Sequence, residues 1–154
     1  MKDSLYEIDF YAWTQKQASI LQKLSHDHDW QTLDIPNLIE EIESLGKQQR
    51  QELRNRLAIL IGHLLKWQYQ PSHRSRRWFA TIRIQRRDTQ ELFQENPSLK
   101  SYIEEALPSS YKSGVDLAVK ETNLPFKTFP IDCPYTFAEI LANDFYAGSV
   151  EDWD

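Results

Sequence analysis

Leu38 to Arg87 reads LIEEIESLGKQQRQELRNRLAILIGHLLKWQYQPSHRSRRWFATIRIQRR, and the fold turns on how this stretch is read. Apolar residues at Ile35, Leu38, Ile39, Ile42 and Leu45, then Leu53, Leu57, Leu60, Ile61, Leu64 and Trp67, recur in steps of three and four. That is the helical period, and no strand-like alternation competes with it. Asp34 supplies an N-cap and Pro36 suits a first turn. Pro71 ends the run, because it lacks an N–H and pushes Gln70 toward an extended conformation. The spacing predicts a helix roughly 50 Å long at about 1.5 Å per residue, then a reversal and a second helix folding back on the first. Its weak point is Gly46 to Glu52, where the apolar row lapses and Gln49 takes a core position. Glycine costs about 1 kcal/mol against alanine in a helix, so two helices broken near Gly46 are the alternative to the expectation, one continuous helix with an exposed or kinked middle.

Before this stretch, Ser4 and Glu7 have capping-box spacing and predict a helix running to about Leu24. The following SHDHDWQTLD holds His26, Asp27, His28 and Asp29, which read as a solvated turn because alternate ligands in a polar loop seldom converge on a metal. After Pro71, Ser72 and Ser75 are candidate caps for a helix from about Ser75 to Glu95. Trp78, Ile82, Gln85, Thr89, Leu92 and Phe93 form one face of it. Asn96-Pro97 opens a third stretch, with Leu99, Tyr102, Ile103 and Ala106 inward, and Pro108 either kinks it or, the preferred expectation, restarts it as a further helix. Leu124 to Tyr135 carries three prolines among apolar residues. It predicts a strap across the hairpin, with Phe126 or Phe129 inserted near Trp67 or Trp78. Thr136 and Glu139 form a capping box for a short helix, Phe137 to Leu141, and residues 143–154 read as a frayed tail.

The expectation is therefore a single all-α domain over residues 1–154, a helical bundle built on a long antiparallel helical hairpin. Twelve per cent aromatic residues indicate a packed chain. No run of eighteen apolar residues and no leader pattern occurs, so neither a membrane span nor secretion is expected. The lone Cys133 fits a reducing cytoplasm. The net charge of −5 hides a segregation, for residues 47–87 carry eleven Lys/Arg against Glu52 alone, and both flanks are acidic.

Several short runs carry a family resemblance. They are NLIEEIESLG, HLLKWQYQP, Trp78-x-x-Thr81-Ile82-x-x-Gln85-Arg86, Pro97-Ser98-Leu99, Phe129-Pro130-x-x-Cys133-Pro134-Tyr135-Thr136 and the opening Tyr6-Glu7-x-Asp9-Phe10-Tyr11-x-Trp13. Together they resemble a bacterial family known as domain of unknown function 29, across nearly the whole chain. The resemblance implies a small all-helical protein and brings no catalytic residue with it. Arg77 departs from the pattern, which has Ser before the tryptophan.

Three constellations carry possible chemistry. Arg76, Arg83 and Arg87 share the side of their helix opposite Trp78, Ile82 and Phe93, and with Arg74 they are candidates for phosphate or an acidic partner. The protein's own acidic flanks or water are the competing occupants. His63 and Trp67 precede the turn, and His73, Arg74 and Trp78 follow it. With Phe126 and Phe129 these outline a candidate pocket, in which His63 or His73 would act as acid–base residue and Asp9 could supply a carboxylate. Glu40, Glu41 and Glu43 lack the inward Glu-x-x-His pattern of a di-metal bundle and read as a solvated face. No metal and no cofactor is expected, since no phosphate loop, dinucleotide turn, nucleophile elbow or zinc motif is present.

Three functions follow. The preferred one is a non-enzymatic interaction module that uses its basic hairpin face to bind an acidic protein or RNA/DNA. The second is a small nuclease-like enzyme, and the third is a structural homodimer. A basic face without acidic neighbours would favour the first. A concave pocket holding His63 and a carboxylate would favour the second, and an apolar patch near Gln49 the third.

Overall fold

The computed structural model describes residues 4–27 and 34–148. Among these the chain forms helices α1 (Leu5–Ile8), α2 (Phe10–Asp27), α3 (Ile35–Tyr69), α4 (Arg76–Glu95), α5 (Ile103–Thr122) and α6 (Phe137–Leu141). Short 3-10 turns lie at Pro71–His73, Pro97–Tyr102 and Phe126–Thr128, and no strand occurs among the described residues. The protein is all-α. No helix is long and apolar enough to cross a membrane, among the described residues. The residues group into two compact units, Met1–Glu52 with Leu92–Tyr102 and Leu53–Glu91 with Ile103–Asp154.

In the first unit, the single N-terminal helix expected from Ser4 is interrupted. Ser4 makes no capping hydrogen bond, and its hydroxyl lies 3.5 Å from the Glu7 carboxylate instead. The break comes at Asp9, whose backbone is extended (φ −152°, ψ 92°). Its carboxylate then starts α2 by accepting from Ala12 N at 2.8 Å, while the Asn96 side chain accepts from Tyr11 N at 3.0 Å. One carboxylate oxygen and one amide oxygen thus satisfy N–H groups that a helix start leaves open. Asp9 also accepts from Ser98 N and Ser98 Oγ, at 2.7 and 2.9 Å, which ties α2 to the Pro97–Tyr102 turn.

Helix α3 is continuous through Gly46. Gly46 is buried, and a Cβ there would come within 2.7 Å of Thr14 Oγ1 and 2.8 Å of Gln15 Nε2. The glycine lets α2 and α3 approach closely, so packing offsets its helix-propensity cost. Gln49 is half-buried and accepts from Asn96 Nδ2 at 3.5 Å. Beside it, the Arg50 guanidinium donates to Tyr11 Oη at 2.6 Å and lies over the Tyr102 ring at 4.8 Å.

The second unit holds most of the apolar row. Leu53, Leu57, Leu60, Ile61, Leu64, Leu65 and Trp67 are all fully buried, each contributing roughly 1.5–3 kcal/mol of hydrophobic stabilisation. Pro71 ends α3 as expected, and Ser75, not Ser72, caps α4 by accepting from Trp78 N at 3.2 Å. Arg56 pairs with Asp88 at 3.1 Å, and Trp67 lies 6.4 Å from Phe79, so these parts of α3 and α4 run antiparallel. Helix α5 crosses α3 where two glycines meet, since a Cβ on Gly62 would stand 3.0 Å from the Gly114 carbonyl oxygen.

The restart expected at Pro108 does not occur, and α5 runs through it. Pro108 is on the exposed side, while Ala106, Tyr111 and Ala118 are buried. One missing hydrogen bond is outweighed by that packing. The Pro-rich segment is held by Tyr111 Oη donating to the Pro130 carbonyl, and by Tyr135 Oη donating to Gln68 Oε1 at 2.7 Å. Phe129 is buried, but its ring packs edge-on against Tyr69 at 5.2 Å and not against a tryptophan. Phe126 is 61% exposed, so it is not an inserted side chain. The ring that reaches Trp67 from the C-terminal side is Tyr146, at 5.4 Å. The Thr136–Glu139 capping box opens α6 as expected. The His28–Asp29 end of the polar loop and the tail beyond Gly148 lie outside the described residues, and so do the side chains of His26 and Asp27.

Candidate functional site

The arginines of α4 divide into two sets. Arg76, Arg83 and Arg87 are exposed, whereas Arg86 is 1% exposed. Arg86 Nε donates to the Ile140 carbonyl at 2.8 Å, and Nη2 donates to the carbonyls of Glu139 and Phe145. Its guanidinium also lies 5.1 Å from the Tyr146 ring centroid. A cation thus meets carbonyls at the C-terminal end of α6 and just beyond it, where the negative end of the helix dipole favours positive charge. Burial lowers its pKa, with Tyr146 and Asp144 acting the other way. Arg74 has a similar task at the end of α3, donating to the Trp67 carbonyl at 2.8 Å and covering the Trp67 ring at 5.1 Å.

Arg83 and Arg87 line an open cleft of about 870 Å³ with Phe79, Ile84, Gln90, Asn143, Asp144 and Tyr146. Arg83 lies 5.7 Å from the Phe79 ring, and Phe79 stacks on Tyr146 at 5.1 Å and 17°. Arg87 Nε donates to Asp88 Oδ1 at 3.2 Å while its side chain stays 64% exposed. Asp88 also holds Arg56, so the basic face has an acidic neighbour. Arg76 does not line this cleft.

A second cleft, of about 480 Å³, is lined by His63, Lys66, Arg77, Trp78, Thr81 and Glu121. His63 is buried and its Nδ1 lies 2.9 Å from the Ile59 carbonyl. A carbonyl only accepts, so Nδ1 carries the hydrogen and Nε2 the lone pair. Burial lowers the His63 pKa, the Ile59 hydrogen bond opposes that shift, and the charge of Lys66 adds to it. Lys66 is paired with Glu121, and its ammonium sits 4.4 Å from the Trp78 ring centroid. Burial pushes the Glu121 carboxyl up, but hydrogen bonding and attraction to Lys66 outweigh this and leave it lowered.

The expected pocket is thus only partly assembled. His63 and Trp78 share a cleft, while Trp67 is fully buried core. Phe126 and Phe129 line neither cleft. His73 is exposed, with its Nδ1 3.1 Å from Ser72 Oγ, and joins neither cleft. Both Asp9 oxygens are engaged by Ala12 and Ser98, and the carboxylate beside His63 is Glu121. Glu40 and Glu41 are exposed and Glu43 is half-buried, and no metal-ligating cluster occurs among the described residues. Arg86 stands four residues after Ile82 and three before Thr89, so its place on the buried stripe was legible from spacing. Lys66 and Glu121 meet through the α3–α5 crossing, which leaves no local signal.

A family model described as "Domain of unknown function DUF29" matches residues 5–146. The chain belongs to this family. No curated protein and no solved structure shows significant similarity to it. The DUF29 description names no activity, and the match takes in the residues of both clefts.

Proposed function

We propose that this DUF29 protein is a non-enzymatic interaction module whose exposed α4 face takes an acidic segment of a partner protein. The observation that carries the reading is that Arg83, Ile84 and Arg87 line one open cleft together. Ile84 is 42% exposed and lies between the two arginines in sequence, offering an apolar anchor with a carboxylate-binding fork on either side. Exposed ion pairs contribute only about 0–1 kcal/mol each, so contact with Ile84 has to supply part of the affinity at roughly 25 cal/mol per Å² buried.

A protein segment suits this cleft better than a nucleic-acid strand. Asp144 stands in the lining, Asp88 engages Arg87, and the chain carries a net charge of −5. A polyanion needs several phosphates neutralised at once. The Phe79 and Tyr146 rings stack on each other, which leaves those faces closed to bases. The enzyme reading has His63 and a carboxylate in one cleft, but Lys66 holds that carboxylate and the Ile59 carbonyl holds the imidazole. The scaffold reading would be favoured by a large apolar patch near Gln49, and Gln49 itself is half-buried and accepts from Asn96 Nδ2.

Fluorescence polarisation tests the proposal with a labelled helical peptide bearing glutamates around a leucine, and with labelled single-stranded RNA. Saturable peptide binding that weakens with salt, without RNA binding, supports it. No peptide binding at low salt removes it, and RNA binding with a steep salt dependence replaces it with the nucleic-acid reading.

A further inference from the structure

The Lys66–Glu121 pair is lopsided. The lysine side chain is 3% exposed and the glutamate side chain 43%. Lys66 is set into the wall of its cleft against the Trp78 ring, while Glu121 stands at the solvent edge. Glu121 is also the penultimate residue of α5, where the negative end of the helix dipole disfavours a carboxylate. A buried ammonium needs an anion, but Glu121 is poorly placed to be the best one. Arg77, in the same cleft, is exposed and forms no ion pair among the described residues.

We propose that this cleft is a binding site for a phosphate group, which replaces Glu121 as the partner of Lys66. The site shares no lining residue with the Arg83–Arg87 cleft and does not depend on the function proposed there. The exchange is physically balanced. Glu121 returns to water from a position that is already 43% exposed, and Lys66 keeps an anionic partner throughout. A phosphate dianion can engage the Lys66 ammonium and the Arg77 fork together, whereas a single carboxylate would only repeat what Glu121 does.

His63 makes the exchange sensitive to protons. The charged groups facing it are Lys66 on α3, Arg77 on α4 and Glu121 on α5. The two cations oppose an imidazolium and Glu121 favours one, with burial the largest influence against it. A phosphate dianion brings more negative charge than the glutamate it displaces. His63 then takes up a proton at Nε2 and becomes a third cation facing the ligand.

The test follows the His63 ring resonance by NMR in the full-length protein, assigned with His63→Gln. Inorganic phosphate is titrated against sodium chloride of matched ionic strength, with sodium acetate as a separate arm. Phosphate should shift the resonance saturably, move its titration midpoint upward and bind more tightly at pH 6 than at pH 8. Glu121→Gln removes the competitor and should tighten phosphate binding about tenfold, and Arg77→Ala should weaken it about tenfold. Circular dichroism confirms that each variant folds. If Glu121→Gln does not fold, the exposed Arg77→Ala substitution decides. No saturable shift beyond chloride, or unchanged phosphate affinity in the folded variants, overturns the proposal. Acetate binding as tightly as phosphate overturns the assignment to phosphate.

Discussion

Arg86 Nε donates to the Ile140 carbonyl at 2.8 Å, joining residues 54 positions apart in the chain. With its bonds to the Glu139 and Phe145 carbonyls, this one buried side chain holds the α6 segment against α4. The same segment supplies Asn143, Asp144 and Tyr146 to the Arg83–Arg87 cleft. Arg86 is therefore the link between the core and the proposed binding face.

Arg86→Met keeps most of the volume but takes the guanidinium donor from the Ile140 and Phe145 carbonyls, while the Glu139 carbonyl keeps Ala142 N. Each unmet buried acceptor costs about 1–3 kcal/mol, so the variant should lose roughly 3 kcal/mol or more in urea denaturation. A loss below about 1 kcal/mol, the size of an ordinary net hydrogen bond, would show that the clamp is dispensable.

Gly46→Ala separates two opposed effects. Alanine gains about 1 kcal/mol of helix propensity, yet its Cβ would stand 2.7 Å from Thr14 Oγ1. Overpacking costs typically about 1–3 kcal/mol, so the variant should be less stable than the parent. Adding Thr14→Ala should recover part of the loss, because it removes the clashing oxygen. A stabilised Gly46→Ala would mean that α2 and α3 do not approach closely there.

Much of this architecture was legible in the sequence because it rests on local rules. The apolar period from Leu53 to Trp67, the stop at Pro71 and the Thr136–Glu139 box each act within a few residues. The misreadings came where a distant group changed the local answer. Asp9 breaks the N-terminal helix because Ser98 and Asn96 complete the new start from far along the chain. Pro108 stays inside α5 because the buried residues on both sides of it outweigh one lost bond. At the candidate sites, the exposed faces of Arg83 and Arg87 followed from periodicity. The Lys66–Glu121 pair depends on the glycine crossing of α3 and α5, which no spacing within either segment reveals.

Stability should fall on acidification, and the sign follows from two lowered pKa values. His63 lies below its ordinary 6.5 in the folded chain, so the unfolded chain takes up a proton first as pH drops. Its contribution is complete above about pH 6.5 and is lost as pH falls toward the folded-state value. Glu121 is also lowered, and its contribution is lost at more acid pH, through the carboxylate range. Thermal melts from pH 8 to pH 5 should show a falling midpoint, with a shallower fall in His63→Gln. A midpoint that is flat or rises toward acid would contradict the burial of a neutral His63.

The most direct test of the α4 face is a charge swap. In fluorescence polarisation, Arg83→Glu with Arg87→Glu should lose the glutamate–leucine peptide and gain the matching lysine–leucine peptide, with the helical circular dichroism signal unchanged. If wild type binds both peptides equally, or if the double variant still binds the glutamate peptide as wild type does, then Arg83 and Arg87 do not form the site.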